Sequence, residues 1–134
     1  MDLEKILKNL IFFQIFSFVA LIIFAFYESD DLIAINENID GGILFSENFN
    51  EIFVLLLISA YVIVYLIALY KIYKLNKFGK DLYLGCFIAG SLLTLLSGSY
   101  AYGPIVMFFT ELNMVSIGAI LALIYFSPIK KRFK

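Results

Sequence analysis

In a chain of 134 residues that is 63% hydrophobic and 16% charged, side chains able to do chemistry are few and widely spaced. Gln14, Ser17, Ser59, Tyr61, Tyr65, Thr94, Thr110, Glu111, Asn113 and Ser116 interrupt long apolar runs. Burying such groups in hydrocarbon costs free energy, so each is a candidate for function by default. Glu111 is the only carboxylate in the body of an apolar run. Together with Asn113 and Ser116 it could hold a proton or a cation in a shallow cavity. The competing expectation is an interfacial Glu near a helix N-terminus, favoured by the helix dipole and by water. Tyr61 and Tyr65 stand one helical turn apart. They could donate hydrogen bonds to a ligand or to a partner such as Gln14, which itself is expected to bond another helix.

A second constellation lies between apolar runs. Residues 36–47 read NENIDGGILFSE. Against the calcium loop of an EF-hand, Asn36, Asn38 and Asp40 fall at positions one, three and five. Gly41 takes the sharp-turn position and Glu47 the bidentate position twelve. The chemistry is a ring of hard oxygens around one calcium ion. The segment departs from the pattern at Asn36, where Asp is expected, and at Leu44, which supplies no side-chain ligand. The competing expectation is an acidic solvated loop, with LIAI and ILF paired as a small hairpin about Asp40-Gly41-Gly42.

What is missing narrows the chemistry further. The chain has no His and no Trp, and Cys86 is its single cysteine. Haem or zinc held by His, and acid–base work by imidazole, need residues absent here. One thiol makes no CxxC pair, which sets aside disulfide-to-quinone electron transfer. Cys86 sits in an apolar run, where a thiol is ordinary packing. Ten basic and eleven acidic residues give no basic face for nucleic acid.

The elements that must position these groups follow from the apolar pattern. A soluble domain is roughly 45–50% apolar and about 25% charged, and this chain departs from both marks toward the membrane. Four runs are long enough to span a bilayer: 10–27, 51–73, 81–97 and 105–126. An acidic loop, 28–50, joins the first two. Lys5 and Lys8, then Lys71, Lys74, Lys77 and Lys80, then Lys130, Lys131, Arg132 and Lys134 all fall on one side of these spans. The positive-inside rule puts that side, and both termini, in the cytoplasm. Tyr27, Tyr100 and Tyr102 are expected at the outer interface, and Tyr70, Tyr73, Tyr83 and Tyr125 at the inner one. The segment FAFYESD after the first run lacks a small-x-small cleavage site, so the first run reads as an uncleaved anchor. Short connections then give an all-α, up-down-up-down bundle of four transmembrane helices forming a single domain, 1–134. Small residues should line the helix contacts: Gly85 and Ala89, Gly90, Thr94 and Gly98, Gly118 and Ala122, and Ala60 with Ala68. Asn48 and Glu51 have the spacing of a capping box at the start of the second span.

The run YKIYKLNKFGKDLYLGCFIAGSLLTLLSG, followed by GAILALIYFSP, resembles a group of small bacterial four-span inner-membrane proteins of no assigned activity. In them a basic hairpin with an FG turn joins spans two and three, and the last span ends in YFSP. The resemblance covers about 85 residues, implies the same topology and carries no functional residues. The chain shares only size and span count with small multidrug exporters, whose shared acid is a Glu in span one where Gln14 stands here.

The sequence thus leads to an integral membrane protein of the bacterial inner membrane acting by interaction, as an accessory or assembly subunit. Its expected partners are the lipid bilayer, other membrane proteins or further copies of itself. The alternative is an oligomeric transporter or channel with a proton or cation route past Glu111. No cofactor is expected apart from calcium in the external loop, and no catalytic residue stands out.

Overall fold

The computed structural model describes residues 2–27, 29–38 and 50–134. They form five α-helices and no strand. Four are long and apolar enough to cross a membrane: α1 (Leu3–Ala25), α3 (Glu51–Tyr73), α4 (Lys77–Ser97) and α5 (Pro104–Phe126). A short α2 (Asp30–Glu37) follows α1, and a 3-10 turn (Pro128–Arg132) follows α5.

Helix ends are set by local hydrogen bonds, which is why they overrun the apolar limits. The Asp2 carboxylate caps α1 by accepting from the Glu4 N–H at 3.1 Å, so that helix begins seven residues before the apolar run does. Asn76 likewise accepts from Phe78 N–H, starting α4 four residues ahead of its apolar run. Asn50, not Asn48, caps α3 by accepting from Ile52 N–H at 2.9 Å; Asn48 lies outside the described residues. Pro104 opens α5 at the first turn, where its missing N–H is no loss. The loop expectation changes too. LIAI is not a strand, because residues 32–35 lie within α2, with Asp30 and Asp31 in its first turn. Acidic side chains there favour a helix start.

The turn between α3 and α4 is tight. Leu75 N–H donates to Ile72 C=O and Asn76 N–H to Lys71 C=O, the paired bonds of a Schellman ending. Leu75 takes the left-handed position, φ 54°, that glycine usually fills. Its side chain packs against the core, which compensates for the backbone strain.

The four long helices associate as two pairs, α1 with α5 and α3 with α4. The pairs are fused at the lysine-rich end. There Leu7, Ile11, Leu69, Ile72, Ile120 and Ile124 form the buried core. The segment 128–134 closes this end. Ile129 and Phe133 are buried, and Lys134 exchanges backbone hydrogen bonds with Leu75 and Lys77. Arg132 meets Glu4 at 2.9 Å, so the start of α1 and the 128–134 segment share one end of the bundle. Toward the far end burial thins out. Leu92, Leu95, Leu55 and Leu56 are each more than half exposed. A helix surface so rich in Leu, Ile and Phe suits lipid as its solvent.

Packing divides the expected small residues: Ala68 is buried in the core and Gly90 lies partly buried against Tyr61, but the others face outward. Gly85, Ala89, Gly118, Ala122 and Ala60 are exposed, as are Thr94 and Gly98. The close approach between α3 and α4 is made by Gly79 instead. A Cβ there would stand 2.7 Å from Lys71 Cβ and 2.8 Å from its backbone carbon. Between α1 and α5 the buried small residues are Ser17, Ala20 and Ser116.

Candidate functional site

The most polar point inside the bundle is Gln14, fully buried on α1. It lies about 16 Å along the helix from Ala25, at about 1.5 Å per residue. Its amide nitrogen donates to the Tyr65 hydroxyl on α3. Its carbonyl oxygen accepts from the Tyr83 hydroxyl on α4 at 2.8 Å. Ser17 donates to the Gln14 backbone carbonyl at 3.0 Å. One carboxamide therefore ties α1, from one helix pair, to both helices of the other. In hydrocarbon no water competes for these groups, so the bonds hold the pairs in register.

Tyr83 is a correction to the sequence reading. It was expected at the inner interface and is instead 1% exposed, at the centre of the lock. The signal was present: Gly79, Tyr83, Cys86 and Gly90 recur at helical spacing and define the inward face of α4. Three of them are buried and Gly90 is partly so. Tyr61 stacks on Tyr65, and Tyr65 on Tyr83, with ring centroids 6.2 and 6.1 Å apart. The Tyr61 hydroxyl donates to the Cys86 carbonyl at 3.2 Å and lies directly over Gly90, where a Cβ would collide with it.

Gln14, Tyr61 and Tyr65 are thus brought together, but the α5 group is not. Glu111 is exposed on the outside of the bundle. Asn113 turns inward, its Oδ1 buried without a hydrogen-bond partner. Ser116 is buried and donates to the Asn113 backbone carbonyl. Glu111 is therefore on the surface, while Asn113 Oδ1 and Ser116 are buried. Of the other polar residues, Ser59 is exposed, and Thr110 donates to the Val106 carbonyl of its own helix.

In the acidic segment, Asn36 lies on α2 and forms a two-point clamp. Its amide donates to the Ala101 carbonyl at 3.0 Å, and its Oδ1 accepts from the Ala101 N–H at 2.7 Å. This bolts α2 onto the α4–α5 connection. Asn38 ends α2 and donates to the Ala34 carbonyl. Asp40 and Glu47, the two charged ligands of the calcium reading, lie outside the described residues. Among the described residues no three His, Cys, Asp or Glu side chains converge on one point.

Two recesses flank the α3–α4 pair. One is a cavity of about 280 Å³ bounded by α3, α4 and α5, with Tyr65 and Tyr83 at its base. The other is an apolar groove of about 620 Å³ on the outer face, between α3 and α4. The groove runs from Phe78 to Leu96, and Ala60, Gly85 and Ala89 help to line it.

Surface, helix lengths and buried polar lock together define a multi-pass helical membrane protein. Set against known protein families, curated proteins and solved structures, the chain matches none.

Proposed function

We propose that this protein is an accessory or assembly subunit of a bacterial inner membrane, with both termini cytoplasmic. It acts by packing one transmembrane helix of a partner protein into the α3–α4 groove. The observation that carries this is the groove itself. From Phe78 to Leu96 it extends about 27 Å along α4, close to the roughly 30 Å hydrocarbon thickness. Its lining is apolar except for Tyr61 and, at the lysine-rich end, Asp81. Beyond its own turn of helix, no heavy atom comes within 4 Å of where a Gly85 Cβ would stand. In lipid, helices associate by close backbone approach at small residues rather than by hydrophobicity. An exposed Gly85–Ala89 step along a groove of membrane-spanning length fits that mode. The exposure of Glu111 and the closed core at the lysine-rich end favour this reading over a cation route.

The test is photocrosslinking in intact membranes from a reactive amino acid placed at Ala89, with Val115, 71% exposed on α5, as the control. A discrete adduct from Ala89 but not from Val115, abolished by Gly85→Leu, is the expected result. An adduct at twice the chain mass would replace the foreign helix with a second copy. Equal, diffuse labelling from both positions would overturn the proposal. A reporter fused after Lys134 checks the orientation, and a periplasmic signal there would reverse it.

A further inference from the structure

The cavity on the other side of α4 has a chemistry of its own. It meets the groove only at Tyr61 and Leu93, and nothing about it rests on partner binding. Its lining runs along α4 from Ser97 to Tyr83, about 21 Å. Below Tyr65 and Tyr83 the buried core closes it.

The wall formed by α4 presents Ser91, Thr94 and Ser97 at intervals of three residues. Each hydroxyl donates its proton to its own helix: Ser91 to the Phe87 carbonyl at 3.0 Å, Thr94 to Gly90 at 2.9 Å, and Ser97 to Leu93 at 2.7 Å. Tyr61 donates to the Cys86 carbonyl. With the protons so committed, these four oxygens offer lone pairs only. At the base the Tyr83 hydroxyl donates to Gln14 and the Tyr65 hydroxyl accepts from it. The rest of the lining is aromatic and aliphatic, with Phe87, Met114, Ile117 and Ile58, and no charged residue contributes.

We infer that this cavity binds a neutral, membrane-dissolved alcohol or phenol, whose O–H donates to the hydroxyl rungs of α4 while its apolar body lies against Phe87, Met114 and Ile117. The elimination is chemical. A cationic ligand would lack a carboxylate and an anionic one a cation. A ketone or ester would set acceptor against acceptor. A hydroxyl compound supplies what the α4 wall lacks, a donor proton. Ser91, Thr94 and Met114 are exposed on its rim, so such a molecule can enter from the bilayer.

The test uses the full chain in phosphatidylcholine vesicles with two photoreactive probes, a diazirine-bearing decanol and its methyl ether. Crosslinked peptides are mapped by mass spectrometry. The alcohol should label segments 91–97 and 114–117 about five-fold more than the ether, the factor one net hydrogen bond supplies. Thr94→Val removes an acceptor at nearly constant volume and should bring alcohol labelling down toward the ether level, whereas Thr94→Ser should retain it. Gel-filtration behaviour checks the fold of each variant, and Ser97→Ala gives the same reading if Thr94→Val misfolds. Equal labelling by ether and alcohol would overturn the inference. So would label spread evenly over the lipid-facing helices, or an alcohol signal unchanged in a folded Thr94→Val.

Discussion

The two halves of this bundle solve the same problem differently. In the lysine-rich half, aliphatic side chains from α1, α3 and α5 interlock around Leu69 and Ile120, and the 128–134 segment seals the end. In the far half the helix pairs separate, and what would be core becomes cavity wall. Oiliness does not decide which half packs, for the lysine-rich half is the less apolar in sequence. The difference lies in what each side chain touches, since in lipid an apolar residue gains nothing from transfer and holds the fold only through packing. The closed half is therefore the scaffold, and the open half is where a ligand or a partner can enter.

The sharpest way to break that contrast is at Gly79. Its missing Cβ would meet Lys71 Cβ, Lys71 C and Ile72 N at 2.7–2.9 Å, and backbone atoms cannot swing aside. Gly79→Ala should destabilise the chain by about 3 kcal/mol, as overpacking does at its upper range. Denaturation by sodium dodecyl sulfate in mixed micelles measures it. A neutral effect would mean that the α3–α4 contact is looser than its geometry implies. Next comes Leu69→Ala, at a residue 1% exposed. Only the packing part of a cavity penalty applies in lipid, so about 2 kcal/mol is expected.

The lock between the pairs is the third step down. Gln14→Leu keeps the volume roughly constant but removes the partner of both Tyr65 and Tyr83. Interhelical hydrogen bonds in membranes average well under their apparent strength, so the loss should be about 1 kcal/mol. Its signature is elsewhere. With no Trp in the chain, near-ultraviolet circular dichroism reports chiefly on the tyrosines, and the signal of the stacked Tyr61–Tyr65–Tyr83 array should weaken. An unchanged spectrum would argue that stacking alone orients the rings.

How far these features could be read from the sequence depends on the kind of residue. Helix number was legible because apolar run length sets it: α3 occupies 51–73 as expected. The starts of α1 and α4 were not, because Asp2 and Asn76 cap helices beyond the apolar limit. The acidic segment hid α2, since LIAI alternates too briefly to separate strand from helix. Among the small residues Ala68 and Gly90 do meet protein, while the others misled for a physical reason. Spacing says which residues share a face, not whether that face meets protein or lipid, and Gly85 with Ala89 faces outward. Tyr83 was misplaced because a tyrosine six residues from Lys77 suits an interface as well as a buried hydrogen bond. Only the position of Gln14 across the bundle decides between them.

The smallest predicted effect tests the contrast from the other side. Leu95 is 78% exposed in the open half and lines neither recess. Leu95→Ala removes the same atoms as Leu69→Ala, yet it leaves no hole in protein, because lipid fills the space. The expected change is within about 0.5 kcal/mol, as for surface positions generally. If Leu95→Ala instead approached the cost of Leu69→Ala, the far half would have to be packed against something in the membrane. The natural candidates would be a second copy or a partner helix reaching beyond the α3–α4 groove. Repeating the measurement over a range of protein-to-detergent ratios separates the two states. A penalty that vanishes on dilution marks an assembly contact, and one that persists marks a contact within the chain.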